Sequence, residues 1–127
     1  MARPGSTTPL RQAVLDILVA AGRPMGAYDI LAEMSVRTGH PVAPPSVYRA
    51  LAALIAVGKA IKVESLNAFM VGEMPGSVLC VCRRCGGVVP LADPGVERRL
   101  LRDAKTLGFT IDRPQIELTG TCRDCRF

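Results

Sequence analysis

PPSVYRALAALIAVGKAIKVESLNAFMV, residues 44–71, changes its period halfway along. In its first half Val47, Ala50, Leu51, Leu54 and Ile55 recur at the three- and four-residue intervals of one helix face. Pro44-Pro45-Ser46 opens this helix and Gly58 closes it. In its second half Ala60-Ile61-Lys62-Val63 and Ala68-Phe69-Met70-Val71 alternate at strand spacing. They flank Glu64-Ser65-Leu66-Asn67, so the pair reads as a hairpin. A helix that leads directly into a hairpin narrows the fold to few choices.

The residues before it complete the pattern. Thr8 and Pro9 form a helix start, with Thr8 as the capping residue and Pro9 in the first helical position. Val14, Leu15, Ile17 and Leu18 follow at helical spacing, and Gly22 before Arg23-Pro24 ends the element. A second helix runs from about Ala27 to Thr38 with Ile30, Leu31 and Met34 inward, and Gly39-His40-Pro41 breaks it. Three short helices and a hairpin are the order of a winged helix-turn-helix, whose third helix enters the DNA major groove while its wing follows the backbone.

After a Met74-Pro75-Gly76-Ser77 break the pattern differs. Val78 to Cys82 and Val88 to Leu91 read as short strands. A helix from about Pro94 to Leu107 carries Val96, Leu100, Leu101, Ala104 and Leu107 on one face. A last strand covers about Gln115 to Thr119. The fold class is therefore α+β: residues 1–72 a winged-helix DNA-binding domain, 73–77 a hinge, and 78–127 a small α/β dimerisation domain.

Composition allows only a thin core. The 127 residues are 49% hydrophobic but include two Tyr, three Phe and no Trp, so a staple or a partner is expected. No apolar run approaches the ~20 residues that span a bilayer, and Met1 to Pro9 does not read as a signal peptide, which places the chain in the cytoplasm. The formal charge of +5 is uneven. Within residues 1–63, Arg3, Arg11, Arg23, Arg37, Arg49, Lys59 and Lys62 are opposed only by Asp16, Asp29 and Glu33. Such a bias suits a polyanion such as DNA, although a solvated surface alone would show it too.

Cys82-Arg83-Arg84-Cys85 and Cys122-Arg123-Asp124-Cys125 are two C-x-x-C knuckles separated by residues 86–121. Without an export signal, such pairs point to metal rather than disulfides. Zinc takes soft ligands in a tetrahedron, and each knuckle offers two sulfurs from one tight turn. Cys82, Cys85, Cys122 and Cys125 together would hold one structural zinc ion per subunit and clip a strand–helix–strand unit at both ends. A pair of redox dithiols is the competing reading, but it leaves one pair without a task. Arg83, Arg84, Arg123 and Arg126 would balance the charge of four thiolates or keep an exposed turn soluble. Cys80 shares a strand face with Cys82; it is a redox switch or alternative ligand, or a small apolar residue of the strand.

The segment from Ala43 to Leu54 resembles the recognition-helix signature of the ferric uptake regulator superfamily. Thr8-Pro9-Leu10-Arg11, Gly26-Ala27-Tyr28-Asp29-Ile30-Leu31 and Lys62-Val63-Glu64-Ser65-Leu66-Asn67-Ala68-Phe69, with both knuckles, are most similar to its zinc uptake regulator branch. The resemblance covers residues 7–125. It implies a homodimer that binds a pseudo-palindromic operator in double-stranded DNA and represses metal-uptake genes. It also implies base contact by Tyr48 and Arg49. An Arg can bond guanine twice, and a Tyr ring can pack on a thymine methyl. Ser46, Arg11 and Lys62 suit phosphate contacts, which position the protein without reading sequence.

The family pattern further implies a second, exchangeable metal site around the hinge, and its ligands are missing here. The His before the wing's Lys-Val-Glu-Ser is replaced by Ile61, and the Cys shortly after Asn-Ala-Phe by Gly72. The His-rich stretch is shortened to Glu73-Met74-Pro75-Gly76-Ser77, and Val89-Pro90 stand where a Glu follows the first knuckle. His40, the one histidine, reads as a surface residue. Glu73, Met74 and Cys80 make a poor donor set, so a regulatory metal site of the family type is not expected. The leading reading is a regulator with a structural zinc. An interaction protein that pairs with and modulates a full-length relative is the alternative. Catalysis and a small-molecule substrate are not expected, because no nucleophile–His pairing exists and four cysteines leave zinc no position for water.

Overall fold

The computed structural model describes residues 8–72 and 78–126, and the chain divides into two compact units, Met1–Glu73 and Met74–Phe127. The segment 73–77, read from sequence as a hinge, lies outside the described residues.

In the first unit α1 (Pro9–Ala21), α2 (Ala27–Thr38) and α3 (Pro44–Ala56) precede β1 (Ala60–Val63) and β2 (Ala68–Val71). The start of α1 is set locally: the Thr8 hydroxyl accepts the Arg11 N–H at 3.2 Å, and Pro9 needs no partner for a missing N–H. Gly22 ends α1 in the left-handed region, at φ 62, and gives its N–H to the Leu18 carbonyl. Val14, Ile17 and Leu18 of α1, Ile30 and Met34 of α2, and Val47, Ala50, Leu51 and Leu54 of α3 form one core with Ala60 and Phe69. Leu31 and Ile55, expected inside, are only partly buried against it. Leu18→Ala is expected to destabilise this unit by about 2–5 kcal/mol, because the side chain is fully buried and leaves a cavity. A lowered urea midpoint at unchanged slope would register it.

The wing is an antiparallel pair in the register Ala60↔Val71 to Val63↔Ala68, turned through a 3-10 turn over Glu64–Leu66. Asn67 completes the reversal at φ 48, a left-handed conformation that Asn tolerates better than most side chains. Met25 adds a bridge that local sequence did not disclose. It exchanges backbone hydrogen bonds of 2.8 and 2.7 Å with Phe69, fastening the α1–α2 connection to the wing.

The second unit contains β3 (Val78–Cys82), β4 (Val88–Leu91), α4 (Pro94–Thr106) and β5 (Ile116–Gly120), with strand order β4-β3-β5. β3 and β4 are antiparallel neighbours, whereas β5 lies parallel to β3. A parallel pair requires a crossover, and α4 lies in it. Asp93 caps α4 by accepting the Val96 N–H at 3.1 Å. The apolar face expected on this helix exists in sequence, but no residue of α4 is buried, and Leu100 is 44% exposed. Periodicity reports that a face is apolar; it does not say what covers it. Val78, Leu79, Val81 and Cys82 are the buried apolar residues of this unit among those described. No helix among the described residues is long and apolar enough to cross a membrane.

Candidate metal centre and nucleic-acid interface

Cys82 ends β3, and the first knuckle turns immediately after it. The turn is closed by Gly86 N–H to the Cys82 carbonyl at 3.0 Å and by Cys82 N–H to the Gly87 carbonyl at 2.9 Å. Gly87 also donates its N–H to Cys85 Sγ at 3.3 Å, and a Cβ at that position would lie 3.1 Å from the same sulfur. A side chain there would crowd the ligand. The second knuckle is a short 3-10 turn after β5, closed by Cys125 N–H to the Cys122 carbonyl at 3.1 Å. Because β5 runs parallel beside β3, with Cys82 paired to Gly120, both knuckles emerge at the same end of the sheet.

The four sulfurs of Cys82, Cys85, Cys122 and Cys125 lie within 4.8 Å of one another, and Cys85 Sγ is 3.7 Å from Cys122 Sγ. Zn–S bonds of about 2.3 Å in a tetrahedron place the sulfurs about 3.8 Å apart. All five cysteines are free thiols. The Cys82 thiol is lowered to about 6, first by the Cys85 N–H and then by the Cys122 N–H, which reaches its sulfur at 3.3 Å. The Cys125 thiol is pushed up to about 12, chiefly by the neighbouring Cys122 thiol. For Cys85 the Gly87 N–H favours the thiolate, but the Cys82 and Cys122 thiols outweigh it and the value rises. Cys82 thus favours its thiolate, whereas ionisation of Cys85 and Cys125 is opposed. A divalent cation among them lets all four ionise, so the donor set fits a thiophilic dication such as zinc.

Cys80 is partly buried, beside Val89 and Leu118 in the sheet register. It lines a cavity of about 510 Å³ together with Cys82, Cys85 and Cys122.

The candidate DNA-contacting residues fall in two places. Tyr48 is 50% exposed on α3 and Arg49 is exposed beside it, while Val47, Ala50 and Leu51 point into the core. Arg11, Ser46 and Arg49 line one pocket of about 220 Å³ at the starts of α1 and α3, which Thr8 also lines. Thr8 was legible in the sequence only as a cap. Arg49 Nη2 lies 3.5 Å from Ser46 Oγ. Lys62 is not in this group. It sits on the wing with Nζ 3.5 Å from the Glu64 carboxylate and 6.0 Å from the centre of the Phe69 ring. His40 is exposed, with Nδ1 2.9 Å from the Thr38 carbonyl.

With this geometry, kinship is decisive. The zinc uptake regulation protein of Escherichia coli (strain K12) is 35% identical over 124 residues, covering 93% of this chain and 71% of that protein. The chain belongs to the ferric uptake regulator family, in its zinc uptake regulator branch. The holo XcZur crystal structure superposes with a TM-score of 0.80 at 36% identity, over 93% of this chain and 84% of that one. A zinc uptake regulator complexed with zinc and DNA gives 0.84 at 32% identity, over 93% and 81%. No protein-family model matches the chain; membership rests on these near-complete pairings. The family consists of transcription regulators rather than enzymes, and the chain is a transcription regulator with the family's α+β fold.

Proposed function

We propose that this chain is a cytoplasmic, homodimeric repressor that binds a pseudo-palindromic DNA operator, carries one structural zinc ion per subunit, and has lost the regulatory metal site of its branch. Residues 1–72 are its DNA-binding domain, 73–77 its hinge and 78–127 its dimerisation domain. The observation that carries DNA binding is the pocket formed by Arg11, Ser46 and Arg49 beside exposed Tyr48. It offers cationic and hydroxyl donors for a phosphate next to side chains free to reach base edges. Lys62 contributes from the wing, more weakly, because Glu64 already engages it.

Two features support the dimer. β5 ends the sheet on one side among the described residues, whereas the opposite edge, β4, contains Pro90 and is poorly suited to pairing. Leu100, Leu107, Phe109 and Leu118 are 44%, 85%, 65% and 51% exposed, an apolar surface that a second copy would cover.

Loss of the regulatory site is supported by Ile61 and Gly72. Ile61 is 5% exposed, and its Cδ1 would lie 3.5 Å from a Cβ at position 72. Two positions where the branch pattern expects donors therefore lie side by side and hold an isoleucine and a glycine, neither of which can bind a metal through its side chain. Mild chelation of purified protein is expected to leave operator binding within about twofold of untreated protein, since zinc closed in by four thiolates resists it. Metal analysis is expected to give one zinc per chain. Two zinc ions, or a gel shift that collapses on mild chelation, would show that a sensory site persists.

A further inference from the structure

Four arginines lie in or beside the knuckles, and one of them is seen to cross the site. Arg84, within the first knuckle, places Nη1 3.1 Å from the carbonyl oxygen of Cys125, 41 residues away in sequence. The knuckles are held unequally. The first is built into the sheet by its own turn bonds and by Arg83 N–H to the Gly120 carbonyl at 2.9 Å. The second follows β5 as one short turn. It is tied to the first by Cys122 N–H to Cys82 Sγ, by the 3.7 Å contact of Cys122 Sγ with Cys85 Sγ, and by the Arg84 bond to Cys125. Cys122 is thus held to the first knuckle by its own N–H and sulfur, while the carbonyl of Cys125 is held by the Arg84 side chain. Short turns with few buried contacts open readily.

We propose that Arg84 is the positioning residue of the metal site: it docks the second knuckle onto the first and holds Cys125 within reach of the other three sulfurs. This rests on the zinc reading above. The guanidinium is always protonated, so it also stands against the net negative charge that four thiolates leave on a dication. Its planar fork can bond the carbonyl and still present other N–H groups to the cluster, which a lysine ammonium does less well. Arg84 therefore governs how long the metal is retained, by slowing the outward swing of Cys125. Arg83, exposed on the same turn, is its matched control.

The test is zinc release from the full-length protein into excess chromogenic chelator at neutral pH, with zinc content and circular dichroism measured on each sample. Arg84→Gln is expected to release zinc about tenfold faster than wild type, the usual size of effect for groups that orient metal ligands. Arg83→Gln should match wild type, and Arg84→Lys, which keeps the charge but not the fork, should fall between. Hydrogen exchange of residues 122–126 in the zinc-loaded proteins should rise in Arg84→Gln alone. Wild-type release by Arg84→Gln, or equal acceleration by Arg83→Gln, would overturn the assignment while leaving the zinc reading intact. Wild-type protein that purifies without zinc would overturn both. Should Arg84→Gln fail to load metal, Arg84→Lys decides alone: release at the wild-type rate refutes the role.

Discussion

Cys122→Ser is expected to unfold the second unit and abolish operator binding, while the first unit keeps its cooperative unfolding transition. The cause lies in how little else holds residues 78–126 together. Their buried apolar residues are Val78, Leu79, Val81 and Cys82, all on β3, and α4 buries none. Structural zinc contributes about 10–16 kcal/mol in small zinc-dependent folds. Replacing one thiolate by a hydroxyl removes a ligand and leaves three sulfurs, too few to close the tetrahedron around the ion. The first unit does not share this dependence, because its core joins three helices to the wing. Hydrogen exchange reads the two units separately: protection should vanish across β3 and β5 and persist at Val14, Ile30 and Leu54. A variant that still bound one zinc per chain and kept β3 protected would refute the staple.

The second large effect is expected at the recognition helix. Tyr48→Ala and Arg49→Ala should each cost about 1–3 kcal/mol of discrimination between operator and unrelated DNA, the range for a good base contact. Together they should weaken specific binding by at least about 30-fold while non-specific binding persists. Neither side chain belongs to the core, so thermal stability should change little. Arg11→Ala should behave differently, weakening all sequences alike and lowering the salt slope by about one. Binding measured at several salt concentrations, on operator and scrambled duplexes, separates the two behaviours. If regulation in cells survived the double substitution, direct DNA recognition would not be the function, and a modulator acting through a full-length relative would take its place.

Much of this molecule was readable from residues near one another in the chain. Thr8 with Pro9 starts α1, Gly22 ends it, and the change of period after Gly58 separates α3 from the wing. All are decided by backbone preferences and spacing within a few residues. Each C-x-x-C likewise announces two sulfurs on one turn. The zinc reading needed one further step, that two such turns should meet, and their number alone suggested it.

Only the tertiary structure decided how distant segments meet. The parallel pairing of β5 with β3 brings Cys122 and Cys125 to Cys82 and Cys85, a choice made by topology rather than by any local preference. The Met25–Phe69 bridge, the packing of Ile61 toward Gly72, and the gathering of Arg11 with Ser46 and Arg49 have the same origin. So does the distinction among the knuckle arginines. Sequence offered four equivalent cations, whereas the fold points Arg84 across the site to Cys125. Periodicity and caps are properties of neighbours along the chain. Which sulfurs, cations and apolar faces come together depends on contacts closed over tens of residues, and those exist only once the chain has folded.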